Sequence, residues 1–198
     1  LSGFADYRHY EQVRTEASNA VMGLLAGARM AAYMLQPTEG SDRLLPEIFP
    51  QIPHIGRQNL KTGAARGILA AGDTHLGAMA VPYALAIHED YLRTCLTLLK
   101  RGGANLCKSP DDIKLAFQHT EMERVTGESF TPASLEQIHV LRLMRNCTIH
   151  SGGKVDNSLL SRLACWPADA EAGWEKLAGR SPRALTAGDA VEVGKIAP

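Results

Sequence analysis

A chain of 198 residues is long enough to bury a core without disulfides or a structural metal, and suits one domain with room for an insertion. Hydrophobic residues make up 45% and aromatics only 6%, so the core must come from Leu, Ala, Ile, Val and Met, which favours close-packed helices over aromatic-rich sandwiches. Lys plus Arg and Asp plus Glu both number 21, a formal net charge of zero, which counts against a broad basic surface coating nucleic acid and leaves only local contact through a few arginines in a cleft.

The four cysteines, Cys95, Cys107, Cys147 and Cys165, form no C-x-x-C pair, and Cys95 and Cys147 fall in apolar helical patterns. Reduced, buried thiols in a cytoplasmic protein are the expectation. The most apolar stretch, Ala20 to Leu35, is interrupted by Arg29 and is too short to span a bilayer, so no membrane association is expected. No signal peptide is visible. The chain does not begin with Met, as expected of a processed chain or a piece of a longer one.

Phe4 to Gln36 reads as one long helix, polar early and rich in small residues later, with Gly23 and Gly27 offering another helix a close approach. Pro37 stops it. Residues 37–74, with Pro37, Pro46, Pro50 and Pro53, read as an irregular insertion with a short helical turn at Ala64 to Ala71. Periodicity resumes over Leu76 to Lys100, with Pro82 in the first turns or at a bend, and Gly102-Gly103 ends it. Ser109-Pro110-Asp111-Asp112 predicts an N-cap, a first-turn proline and acids against the dipole, opening a helix to Arg124–Gly127. Thr131-Pro132 opens the next, to His150. Asp156 caps a shorter helix ending at Trp166-Pro167, Ala170 to Leu177 adds a turn or two, and Ala190 to Ile196 alternates weakly enough for a small strand. Together these give an all-α fold, a bundle of about five to seven helices in one domain spanning 1–198, with 37–74 as the insertion.

The helix from Leu135 to His150 carries the chemistry. At roughly 100° per residue, Val140, Leu143, Met144 and Cys147 form one apolar side and Leu135, Ile138, Leu141 and Ile149 a second. Between them Arg142, Asn146, His139 and His150 fall within an arc of roughly 80°, bordered by Arg145. Asn146 and His150 are one turn apart and within reach of each other. One account is a satisfied polar seam bonded to neighbouring helices. The other is a phosphate site, in which arginine holds a phosphodiester with a planar fork and histidine moves a proton.

The run Arg145-Asn146-Cys147-Thr148-Ile149-His150-Ser151-Gly152-Gly153 resembles the signature of HEPN domains, the higher eukaryote and prokaryote nucleotide-binding family of helical bundles. Their ribonuclease branch carries an Arg-x4-6-His motif, often with a polar residue after the Arg and small residues after the His. Arg145 and His150 fit, and Asn146 matches the polar position. The resemblance covers Leu135 to Lys154 and extends loosely to the helix around His88-Glu89-Asp90-Tyr91-Leu92, where related domains often carry a glutamate and an aromatic. It implies a homodimer with facing motif helices and a composite active site, needing no metal or cofactor. Arg145, Asn146 and His150 would be catalytic, and Arg142, His139 and Lys154 substrate-binding. The 2′-OH would attack the phosphate, leaving a 2′,3′-cyclic phosphate and a 5′-OH end. That chemistry requires RNA. The resemblance also suggests a toxin or phage-defence effector with an antitoxin or regulatory partner.

Two alternatives stand beside it. One is a non-catalytic HEPN-like module binding nucleotide, RNA or a protein partner; the other is a helical dimerisation domain whose polar seam sets register. His88-Glu89-Asp90 and His119, Glu121 and Glu123 lack zinc-type spacing and are expected on solvated helix faces rather than at a metal. No P-loop, dinucleotide fingerprint or G-x-S-x-G elbow is present.

Overall fold

The computed structural model describes residues 2–191 and Val193. Among them the fold is all-α: α1 (Ser2–Met34), α2 (Leu45–Ile48), α3 (Thr62–Ala70), α4 (Gly72–Arg101), α5 (Gln118–Thr126), α6 (Pro132–His150), α7 (Asn157–Ala164) and α8 (Ala168–Ala178). β pairing among the described residues is confined to two isolated antiparallel bridges, Leu44 with Lys61 and Lys154 with Ala190. None of the described helices is long and apolar enough to cross a membrane. The chain divides into two compact units, one of Leu1–Ala17 and Gly77–Pro198, the other of Ser18–Leu76.

The larger unit is built on α6, α7 and α8. Val140, Met144 and Cys147 of α6 pack with Leu159 and Leu163 of α7 and with Ala170 and Trp174 of α8. Trp166 meets Trp174 edge to face, with centroids 5.5 Å apart, the geometry in which a positive ring edge faces a negative ring face. Val191 and Val193 complete this core. α8 approaches α6 closely because residue 173 is glycine: a Cβ there would come 2.8 Å from Gln137 Nε2, which donates to the Ala170 carbonyl at 2.9 Å. In the same unit α4 buries Leu85, Glu89, Leu92 and Leu96 on one stripe, and Tyr91 stacks on Tyr10 of α1 at 4.1 Å.

The smaller unit has its own core of Leu35, Leu45 and Ala65, packed round by Ile48, Phe49, Ile55, Leu60 and Leu69. The backbone ties Leu45 N to Leu60 O at 2.8 Å and Thr62 N to Arg43 O at 2.9 Å, so the proline-rich stretch is folded back rather than extended. It also holds a one-turn helix, α2, that the prolines hid from sequence inspection. Gly23 and Gly27 are not the point of closest approach: a Cβ on either would meet nothing within 4 Å. The close approach is instead at Gly72, whose Cβ would meet that of Ala28 at 3.1 Å.

Other expectations also shift. The helix expected from Ser109 is broken into turns at Pro110–Asp112 and Leu115–Phe117 before α5 begins. Extended Ile113 lies between them and is buried, so burying one side chain outweighs helix propensity, and Ser109 makes no side-chain cap. Pro82 lies inside α4, beyond its first turns. α8 is longer than the turn or two expected. Of the strand expected at 190–196, the described residues contribute only the bridge at Ala190; positions 192 and 194–196 lie outside the described residues. The thiols are not uniformly buried, since Cys107 and Cys165 are exposed.

Candidate functional site

α6 begins as expected, with Thr131 extended and Pro132 in the first turn, although Thr131 forms no side-chain cap. Of the apolar side Val140, Leu143, Met144 and Cys147, Leu143 is partly buried and the other three fully, and they fix the rotation of the helix. That rotation turns Arg142 inward. Arg142 Nε donates to Glu89 Oε1 at 3.0 Å, with both side chains under a tenth exposed. The same carboxylate reaches Arg145, whose Nη1 lies 3.5 Å from Glu89 Oε2. Arg145 Nε in turn donates to Asn146 Oδ1 at 3.3 Å. Asn146 therefore turns to Arg145, not to His150 one turn on.

One carboxylate thus bridges two guanidinium groups, and the three-residue cluster carries an excess positive charge. Arg142 Nη2 is buried and has no protein partner. Arg145 is 19% exposed, enough for part of its fork to meet a ligand while Glu89 and Asn146 hold the rest.

His150 is the last residue of α6 and is exposed. The backbone beyond it is tightly fixed. The Cys147 carbonyl accepts from both Ser151 and Gly153 at 3.0 Å. Gly152 and Gly153 have φ of 60° and 76°, in the left-handed region where a Cβ is strained, which explains the glycine pair after the histidine. Val191 N donates to Gly153 O at 2.8 Å, and Val155 N donates to Asp189 O at 2.9 Å. Asp156 caps α7 as expected, accepting from Leu159 N at 2.9 Å, and its other oxygen lies 3.4 Å from Ser151 Oγ. Gly188, Asp189 and Val191 therefore brace the turn that follows His150.

The remaining residues of the seam separate. His139 is half-buried and held below the usual imidazole range, first by burial and then by the charge of Arg162, which Glu136 holds. Lys154 is exposed, and its backbone bridges Ala190. Arg142 and Arg145 meet on Glu89, with Asn146 bonded to Arg145; His139 and Lys154 form no hydrogen bond or ion pair with that cluster.

Sequence inspection missed Glu89 as the centre of this arrangement. His88-Glu89-Asp90 and His119, Glu121 and Glu123 were expected on solvated faces, yet Glu89, His119 and Glu121 are all buried. The signal was present in the stripe Leu85, Glu89, Leu92 and Leu96, where a carboxylate occupies an apolar register position. Glu121 accepts from Arg124 and from Cys107 N, which hold its carboxyl at about 2. No group of three or more metal-ligating side chains converges among the described residues. Comparison of the chain with family models, with curated proteins and with solved structures finds no match in any of the three.

Proposed function

We propose that this protein is a metal-independent endoribonuclease of the HEPN type, acting as a homodimer. The observation that carries the reading is the arrangement at the end of α6: Arg145, partly exposed and held by buried Glu89, with exposed His150 ending the helix just before a hydrogen-bonded turn. A surface arginine with no such support would lose orientation to side-chain entropy. A positioned one stabilises charge developing on a phosphate, an effect worth about a hundred- to a thousandfold per donor.

In this reading Arg145 of each subunit holds the scissile phosphate, with Asn146 fixing its guanidinium. One His150 takes the proton from the ribose 2′-OH, and that oxygen attacks phosphorus. The His150 of the second subunit protonates the leaving 5′-oxygen, so proton count and bonding balance at a 2′,3′-cyclic phosphate and a 5′-OH. A single chain supplies one such histidine, and a twofold axis supplies the other. Ile149, more than half exposed beside His150, suits the dimer contact. Lys154 and His139 are assigned to substrate contact. Arg142 is buried on Glu89, so its part is to position that carboxylate. A toxin or phage-defence role, with an antitoxin or other regulatory partner, fits such an activity.

The test is a defined RNA carrying a single 2′-deoxy substitution at its mapped cleavage site. Cleavage is expected to stop at that nucleotide alone. Undiminished cleavage there would exclude attack by the 2′-OH.

A further inference from the structure

His119, on α5, is buried and meets His88 of α4 nitrogen to nitrogen, with Nε2 to Nε2 at 3.1 Å. Two neutral imidazoles at this distance bond only if one presents Nε2–H and the other a bare Nε2, so the pair must hold opposite tautomers. The ring centroids lie 5.2 Å apart with planes inclined by 28°. The nitrogens therefore meet nearly in line, as a hydrogen bond requires, instead of both turning toward a third point as ligands of one cation would. Phe130 closes the far side of His119 edge-on, its centroid 5.0 Å away.

The charged groups facing the pair are Arg142 from α6 and Glu89, the chain neighbour of His88 on α4. α5 contributes His119 itself, and the segment before α6 contributes only the uncharged ring of Phe130. Arg142 and Glu89 are also the two halves of the buried ion pair behind Arg145. Burial first, and then Arg142, hold His88 below the usual imidazole range. Burial first, then His88 and then Arg142, hold His119 at about 4. The coupling is reciprocal: whatever Arg142 does to a proton on the pair, that proton does to Arg142. In a site with little water the repulsion is poorly screened.

We propose that His88 and His119 are positioning residues, a proton-responsive pair that decides whether Arg142 stays on Glu89 and, through Glu89, whether Arg145 is held at the end of α6. While the pair is neutral, Arg142 has one attractive partner and no added repulsion. A proton on the pair places a second positive charge beside Arg142, and the bridge to Glu89 loosens. Only the consequence for cleavage rests on the ribonuclease reading; the coupling itself does not.

The experiment follows the ring nitrogens of both histidines and the Nε–H of Arg142 by NMR on the isotope-labelled full chain, from about pH 8 to about pH 3.5, so that the titration of His119 at about 4 falls inside the range. The two rings are expected to show opposite tautomers at neutral pH and to take up protons well below an exposed imidazole. As they do so, the Arg142 Nε–H is expected to lose about tenfold or more in exchange protection. In His119→Gln, which keeps an amide facing His88 but adds no proton of its own, that loss is expected to shrink several-fold. The acid fall in RNA cleavage of this variant should shrink with it. If that variant fails to fold, His88→Gln carries the same expectation. Independent titration of both rings near the ordinary value, or unchanged Arg142 protection while the pair titrates, would overturn the proposal. Absence of RNA cleavage at every pH would instead sink the ribonuclease reading, and the NMR results would still decide the pair.

Discussion

Glu89 accepts from Arg142 across 3.0 Å, although the two lie on different helices and both side chains are almost wholly withdrawn from solvent. Removing one partner of such a pair leaves the other charge buried without compensation, which costs about 3–5 kcal/mol. Glu89→Gln strands two guanidinium groups, so a loss in that range is expected in urea denaturation of the full chain. Glu89→Leu combined with Arg142→Met removes the buried pair together and should lose markedly less than Glu89→Gln alone. A double variant as unstable as the sum of its single changes would show that the two do not interact.

Stability should also fall in acid before the carboxylates titrate. The His119 imidazole is held at about 4 in the folded chain, against an ordinary 6.5. Because its folded value is depressed, the neutral ring contributes stability that is full above about pH 6.5 and declines as pH falls toward 4. The size is on the order of 3 kcal/mol. Glu121, held at about 2, acts in a lower window: its contribution is present above the ordinary carboxylate range and is lost as pH falls through the folded value. Denaturation midpoints against pH should therefore show two falls, and His119→Gln should shrink the upper one, to which His88 and His139 also contribute, while leaving the lower one.

The brace around His150 can be loosened without touching the catalytic candidates. Asp156→Ala removes the cap on Leu159 N and the contact to Ser151. A lost cap of this kind costs about 1 kcal/mol. Thermal denaturation should show that loss, and amide exchange at Gly153 should quicken more than exchange in α8. Equal exchange changes in both places would mean that the turn after α6 is held by something other than Asp156.

At Gly173 two opposing effects nearly cancel. Alanine improves helix propensity by about 1 kcal/mol. Its Cβ, however, would stand 2.8 Å from Gln137 Nε2 and displace the bond to Ala170 O, a loss of about 1 kcal/mol. Gly173→Ala should leave stability within about 0.5 kcal/mol of the starting value. Gly173→Ala with Gln137→Ala, which removes the obstructing amide, should tell the two effects apart. A loss above about 2 kcal/mol for Gly173→Ala alone would mean that the α6–α8 contact cannot yield.

The long helices and their order were legible because their signals are local. Thr131-Pro132 and His150 followed by glycine bound α6 as expected, and Asp156 caps α7 as expected. Where tertiary burial overrides local preference, sequence inspection failed: extended Ile113 breaks the helix expected from Ser109, and α2 folds among prolines. The site divides in the same way. Arg145 and Asn146 were visible as candidates, but where the spacing put Asn146 within reach of His150, the structure bonds it to Arg145. Glu89 comes from an element about fifty residues earlier, and nothing in the run from Arg145 to Gly153 specifies a carboxylate partner. Only its register among Leu85, Leu92 and Leu96 betrayed its burial. The tail was read by alternation as a strand, whereas its described residues bond to the turn after His150 and bury Val191 and Val193.

In the proposed reading Arg145 and His150 cleave RNA without a metal. Total RNA incubated in EDTA with the wild type, Arg145→Ala and His150→Ala, each matched for folding by circular dichroism, tests it most directly. The wild type is expected to cleave and leave 2′,3′-cyclic phosphate ends, and either variant to lose about a hundredfold or more. Cleavage that persists in both folded variants, or no cleavage by a folded wild type, would contradict it.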